Sequence, residues 1–296
     1  MTEPIDAATR HARRAGLVYG LIGVVVFGLT LPVTRLAIRS FSPEMIAFGR
    51  VALAGSLGAI ALFVMRQPVP DRADWGRLAR VALGVGLGFP LLATIAMKYA
   101  PASHGGIVLA VLPLGTATAS VWVAGERPSR AFWMVAVAGM VAVLVYALIA
   151  GAGSEALQWA DLALGGAVVA ASIAYAESGV LARRYGGWQV ISWALAVAAP
   201  AMAVLRAIFG GPVPWSAPAV DWAAFLYLAI MSQFVGFFAW NRGLAMGGIA
   251  RVGQLQLLQT FVTLAASAAM LGEHIGALEI GFSLLVAALV SIGWRT

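Results

Sequence analysis

The chain has 296 residues, of which 61% are hydrophobic and 10% charged, with no cysteine and a net charge of +7. Soluble domains average about 25% charged residues, so a chain with a mean hydropathy of +0.91 lacks the polar surface to cover itself in water; its solvent is lipid, and two large soluble domains are set aside. The absence of cysteine removes disulfides, a thiolate nucleophile and thiolate metal sites, and the 19 basic residues, all arginine but Lys98, are scattered between apolar runs rather than gathered into a nucleic-acid footprint.

A membrane-spanning helix needs about 20 mostly apolar residues. Residues 1–14 are polar and basic, which predicts a cytoplasmic arm. The apolar run from Gly16 is too long for a signal-peptide core and has no convincing cleavage site, so it predicts a retained first helix. Ten runs follow along the chain, at 15–38, 43–65, 75–98, 102–124, 130–150, 160–182, 188–209, 219–243, 250–271 and 276–294. Turn residues mark the joints, among them Ser42-Pro43, Pro68-Val69-Pro70, Ala100-Pro101, Gly186-Gly187, Gly210-Gly211-Pro212 and Gly247-Gly248. At these lengths only helices satisfy their own backbone groups in lipid. The expectation is an all-α membrane protein of ten transmembrane helices.

Arginine counting orients it. With the N-terminus in the cytoplasm, that side collects Arg10, Arg13, Arg14, Arg66, Arg72, Arg77, Arg80, Arg127, Arg130, Arg183, Arg184, Arg242, Arg251 and Arg295. The outer side receives only Arg35, Arg39, Lys98 and Arg206, and Arg50 lies inside the second helix. This predicts an integral protein of a bacterial cytoplasmic (inner) membrane with both termini cytoplasmic.

The chain is also one unit written twice. Gly125-Glu126 and Gly272-Glu273 stand 147 residues apart, almost half the length, and Gly106 with Gly253 and Asp74-Trp75 with Asp221-Trp222 share that offset. A repeat of this kind precedes any fold assignment. Five helices per half is an odd number, so the second half starts on the other side of the membrane. Two such halves, 15–150 and 151–296, are related by a two-fold axis in the membrane plane, the inverted-repeat design that holds substrate near the midplane.

Three further stretches carry a resemblance. Ala96-Met97-Lys98-Tyr99-Ala100-Pro101-Ala102-Ser103, followed by the proline-bearing helix and Gly125-Glu126-Arg127, resembles the signature of the EamA-type drug/metabolite transporters. Trp240-Asn241-Arg242-Gly243-Leu244 resembles that family's motif at the end of helix 8, and Phe48-Gly49-Arg50 its arginine in helix 2. Length, helix number and aromatic content look most similar to the YddG-type amino-acid exporters within it. The resemblance implies two halves around a central cavity, with helices of both repeats lining it, and export of amino acids or small metabolites. The halves differ where Pro113 is matched by Thr260 and Leu112 by Gln259, so the second copy is more polar at midplane.

Polar groups are expensive in hydrocarbon and face a cavity or a partner. In helix 9, Gln256, Gln259, Thr260, Thr263 and Ser267 recur at spacings of three and four and share a face. Amides and hydroxyls both donate and accept, which suits a zwitterion; the competing reading is glue between helices. Helix 8 offers Ser232, Gln233, Phe237 and Trp240; helix 6 offers Ser172 and Tyr175; helix 3 offers Phe89 and Thr94; helix 1 offers Phe27 and Thr30. Aromatic rings there would stack on a substrate side chain or simply fill the core. Pro32, Pro90 and Pro113 interrupt the backbone ladder and free carbonyls for binding or bending, or make static kinks. Arg50 is the deepest cation; it could bind a substrate carboxylate, and a gating or structural role is preferred. Glu177 is assigned pairing with Arg183-Arg184 in preference to proton coupling.

His11, His104 and His274 are isolated, so no metal site is expected, and Gly84-x-Gly86-x-Gly88 sits in an apolar helix, so it is no phosphate loop. No catalytic residue or cofactor is expected. The expected partners are a small-molecule substrate and membrane lipid, with no nucleic acid, and a monomer is the working assumption. The reading is a secondary transporter exporting amino acids, aromatic and other neutral ones first, by alternating access. The alternatives are a carrier for another metabolite or drug, a channel, which would want charge rings or a filter, and an intramembrane enzyme, which would want paired catalytic groups at depth.

Overall fold

Ten helices follow one another in the computed structural model, which describes residues 7–150 and 155–293. The tip of the predicted N-terminal arm, the first residues of the predicted second half and Arg295 lie outside the described residues. The helices are α1 (Ala12–Ala37), α2 (Pro43–Val64), α3 (Arg72–Tyr99), α4 (Ala102–Ala124), α5 (Trp133–Ala150), α6 (Gln158–Tyr185), α7 (Gly187–Phe209), α8 (Ala219–Gly247), α9 (Ile249–Leu271) and α10 (Ala277–Gly293). Among the described residues the first nine are long and apolar enough to cross a membrane, and α10 has 17 residues of the same apolar character. Helix α6 is longer than its apolar run: regular helix extends over Glu155–Tyr185, so Asp161 and Arg183-Arg184 ride on helical turns at its two ends.

Local chemistry sets the ends. Ser42 caps α2 by accepting from the Met45 N–H at 3.1 Å, with Pro43 in the first turn, where a missing N–H costs nothing. Helices α4 and α9 both end on a glycine in the left-handed region, Gly125 and Gly272, each at φ 66°. An L side chain is disfavoured there, which is why both halves carry glycine at this offset.

Each helix of the first half packs on one of the second. A Cβ on Gly16 of α1 would lie 2.6 Å from the Gly247 nitrogen of α8, and one on Gly23 would lie 3.1 Å from Trp240. A Cβ on Gly55 of α2 would meet the Leu195 carbonyl of α7 and stand 2.6 Å from the Ala199 Cβ. Gly84 of α3 is as close to the backbone of α6 at Ala170. Helix α4 crosses α9, with Gly106 against Thr263 and Gly253 against Thr116; these two contacts exchange under the 147-residue offset. Helix α5 meets α10 through Tyr146 and Phe282, whose rings are 5.4 Å apart. Small residues at these crossings let backbones approach where no hydrophobic effect drives association. The architecture is therefore two inverted five-helix repeats around a central cavity.

The symmetry extends to irregularities. Helix α3 widens to a π-helix at Ala82–Gly88 and α8 at Tyr227–Val235, stretches that overlap under the repeat offset. Such widening is uncommon and gathers at functional positions. Helix α1 breaks at Leu29 and resumes at Thr30. Pro32 has no N–H for the Gly28 carbonyl, and the Thr263 hydroxyl of α9 donates to that carbonyl instead, at 2.8 Å.

Gly55→Val forces backbone apart at the α2–α7 crossing, and overpacking of this kind costs about 1–3 kcal/mol. The purified variant is expected to show a clearly lowered Tm in detergent, whereas Gly139→Ala, with nothing within 4 Å of the added carbon, leaves Tm unchanged.

Candidate functional site

The site begins at the helix ends. Past Gly125, the Glu126 carboxylate accepts from the backbone N–H groups of Ile249 and Ala250 at 2.9 and 2.8 Å. Past Gly272, the Glu273 carboxylate accepts from Ala102 and Ser103, both at 2.9 Å. Every residue in one set maps to the other at the repeat offset. The first turn of a helix has unpaired N–H donors and a positive dipole end, so each glutamate closes the start of the antiparallel neighbour. We call these two contacts clasps.

The two clasps lie at opposite ends of the bundle and differ in company. At the Glu126 end, Arg183 donates to Glu126 at 3.1 Å, beside a cleft of about 360 Å³ lined by Arg13, Arg183, Gly247, Gly248 and Arg251. Nearby charges are satisfied: Glu177 accepts from Arg77 at 2.8 Å and Arg80 at 2.5 Å, and Arg184 bridges Asp71 and Asp74. Glu177 thus pairs with helix α3, about 100 residues away, and not with Arg183-Arg184 on its own helix. At the other end, Glu273 shares a cleft of about 270 Å³ with Arg35 and Arg39, and Arg35 donates to the Met97 carbonyl at 2.8 Å.

Between the clasps lies the central cavity. Phe27 and Thr30 of α1, Arg50 of α2, Phe89 of α3 and Tyr175 of α6 line it, together with Ser232, Gln233 and Phe237 of α8 and Gln259 of α9. Nine sequence candidates from six helices thus meet in one place. The cavity measures about 10 Å³, room for roughly one water, against about 300–1,000 Å³ for ordinary ligand sites, so its walls stand close together in this structure. Its floor is aromatic: Phe27 and Phe237 lie 4.9 Å apart, and Tyr175 is 6.0 Å from Phe237. Its polar side is the Thr30 hydroxyl paired with the Ser232 hydroxyl at 2.8 Å, to which Arg50 Nη2 donates at 3.3 Å. Gln233 donates to the Val85 carbonyl at 2.7 Å, which ties the two π-helical stretches together across the axis. Gln259 has no hydrogen-bond partner among the described residues and faces the cavity.

The other candidates sit elsewhere. Thr260 donates to the Gly106 carbonyl at 3.1 Å and Thr263 to Gly28, so both tie helices. Gln256 accepts from Thr116 at 3.4 Å between α4 and α9. Ser172 packs on Gly115 of α4. Thr94 donates to the Pro90 carbonyl of its own helix at 2.6 Å. Trp240 is fully buried beneath the aromatic floor, 5.4 Å from Tyr175 and 6.0 Å from Phe27. Pro113 opens the segment of α4 that follows a 3-10 turn at Leu109–Val111. Val85 completes the cavity wall and escaped the sequence reading, since an apolar residue in an apolar helix carries no signal; its repeat mate, Ser232, was the available clue. Among the described residues no group of histidine, aspartate and glutamate is placed to hold a metal.

A model of the EamA-like transporter family matches residues 14–148 and again 158–293. The chain is 42% identical over 262 residues to the uncharacterized transporter YdeK of Bacillus subtilis (strain 168), covering 88% of this chain and 90% of that one. It is 27% identical over 244 residues to the aromatic amino acid exporter YddG of Ancylobacter novellus, covering 80% and 81%. The narrower likeness to YddG-type exporters is thus distant, and YdeK is far more similar. A crystal structure with 20% identity shares the fold at a TM-score of 0.72, covering 95% of this chain and 96% of the other.

Geometry divides the polar stripe of α9 into two behaviours. Gln259→Ala removes an unspent amide from the cavity and is expected to lower transport severalfold with Tm unchanged. Thr263→Ala leaves the Gly28 carbonyl without its partner and is expected to cost about 1 kcal/mol, read as a lower Tm.

Proposed function

The chain belongs to the EamA-like transporter family, and on that premise we propose that it exports amino acids, aromatic and other neutral ones first, from the cytoplasm by alternating access. A membrane transporter of this family carries a small molecule and is not an enzyme. The observation that bears most weight is the central cavity, walled by rings on one side and by two amides, hydroxyls and a guanidinium on the other. An amino acid has the matching halves: a side chain that stacks on rings and charged groups that need donors and acceptors. The distant likeness to an aromatic amino acid exporter points the same way.

The arginine-rich end, with Arg77, Arg80, Arg183 and Arg184, is taken as cytoplasmic by the positive-inside rule, which puts both termini there. The repeats are taken as 15–150 and 151–296, after the arm 1–14. On this reading the Glu126 clasp shuts the cytoplasmic entrance and the Glu273 clasp the outer exit. Each glutamate accepts two charge-assisted bonds from backbone N–H groups, worth roughly 1.5–3 kcal/mol apiece after exchange with water. Exchange of conformations between the inverted halves then turns a cavity open to one side into one open to the other.

In proteoliposomes, radiolabelled phenylalanine and other neutral amino acids are expected to show saturable flux with counter-exchange. Linear, unsaturable flux would mean a channel, and saturable flux of other metabolites alone would replace the substrate. The clasps are tested separately with Val85→Cys as the sole thiol in a chain that has none. Glu126→Ala is expected to speed its labelling by a cytoplasmic-side reagent severalfold, and Glu273→Ala by an outer-side reagent; labelling indifferent to both changes would reject the gating scheme.

A further inference from the structure

We propose that Arg50 is the receptor for a carboxylate on the substrate, which makes this a carrier for carboxylate-bearing molecules and one that rejects the corresponding amines. The inference rests on the export reading above in taking the same cavity as the substrate site.

Arg50 is 2% exposed and lines the cavity. A guanidinium presents five N–H donors and stays charged. Here a single neutral hydroxyl, Ser232, receives one of them, at 3.3 Å, and Nε has no partner. No carboxylate pairs with Arg50 among the described residues. The fully buried carboxylates there are Glu177 and Asp221. Glu177 is held by two arginines of α3, and Asp221 accepts from Ser40 at 2.5 Å.

A buried ion without its counter-ion costs several kcal/mol. A structural arginine would be saturated by carboxylates or carbonyls, as Glu177 is by its two arginines. Arg50 is left unsaturated at the one place where substrate would sit. Its position in the repeat also sets it apart, because the mate of Arg50 in α7 is Val197, so the charge is not part of the symmetric scaffold. An arriving carboxylate would take the free donors of Arg50 in a fork-shaped pair. The aromatic floor of Phe27 and Phe237 then meets the apolar part of the substrate. Gln259 and the Gln233 carbonyl oxygen, whose own amide N–H is engaged with Val85, are the acceptors available to an ammonium group. A ligand with no anion would leave Arg50 dehydrated and unpaired, and that is the source of rejection.

The test compares three probes of one skeleton on the purified protein: L-phenylalanine, 3-phenylpropionate and phenethylamine. Binding is read by thermal shift and by competition against labelled phenylalanine flux. The wild type is expected to bind both carboxylates and to bind phenethylamine at least about tenfold more weakly. Arg50→Gln is expected to lose carboxylate affinity by a similar factor, with Arg50→Lys intermediate. Binding of 3-phenylpropionate without phenylalanine keeps the role of Arg50 and rejects the amino-acid reading. Phenethylamine bound as tightly as phenylalanine by the wild type overturns the proposal without any variant. So does failure of both carboxylates to bind, or an Arg50→Gln protein of wild-type Tm with unchanged preference.

Discussion

Two carboxylates, each laid across the start of a helix from the other repeat, hold the two halves of this protein in register. Glu126 and Glu273 follow a helix C-terminus, where their own helix dipole disfavours a negative charge. Their placement makes sense only because α4 and α9 run antiparallel, so the negative end of one lies beside the positive end of the other. Gly125 and Gly272 make the geometry possible: the left-handed turn ends the helix and swings the next side chain across to its neighbour. A two-fold axis passes between these helices, and the remaining pairings are arranged about it.

Hydrophobic burial cannot serve as the adhesive in lipid, so close backbone approach and a few polar ties take its place. Gly55 on Leu195 and Gly84 on Ala170 bring α2 to α7 and α3 to α6. Thr263 on the carbonyl freed by Pro32 joins α9 to the break in α1. These ties are specific and few. Proline opens the helix at a point where another helix supplies the missing donor, so the kink is filled by the partner repeat.

Symmetry organises the scaffold, and departures from it organise the cavity. Val85 faces Ser232 across the axis as repeat mates, yet one is apolar and the other polar. Gln259 stands where its mate is Leu112, and Arg50 where its mate is Val197. At Ser232, Gln259 and Arg50 the polar side of the site comes from a substitution in one copy of the pair. On the proposed reading, the inverted duplication supplies the exchange of conformations, and divergence between the copies supplies a substrate with something to hold.

The sequence by itself determined the ten apolar runs, the duplication and the glycine–glutamate ends, because hydropathy, turn residues and a left-handed glycine are local properties. It also named nine of the ten cavity residues, since polar and aromatic side chains at midplane are rare enough to notice. It did not separate Gln259, which reaches the cavity, from Gln256, Thr260 and Thr263, which tie helices: spacings of three and four describe an arc of a helix, and how that arc is shared between a cavity and two neighbours depends on the crossing of α9 over α4 and α1. Nor did it find that Glu177 is neutralised by Arg77 and Arg80 across about 100 residues, or that Arg50 has no carboxylate of its own among the described residues. Pairing of charges is set by distance in space, and only the packed bundle fixes those distances.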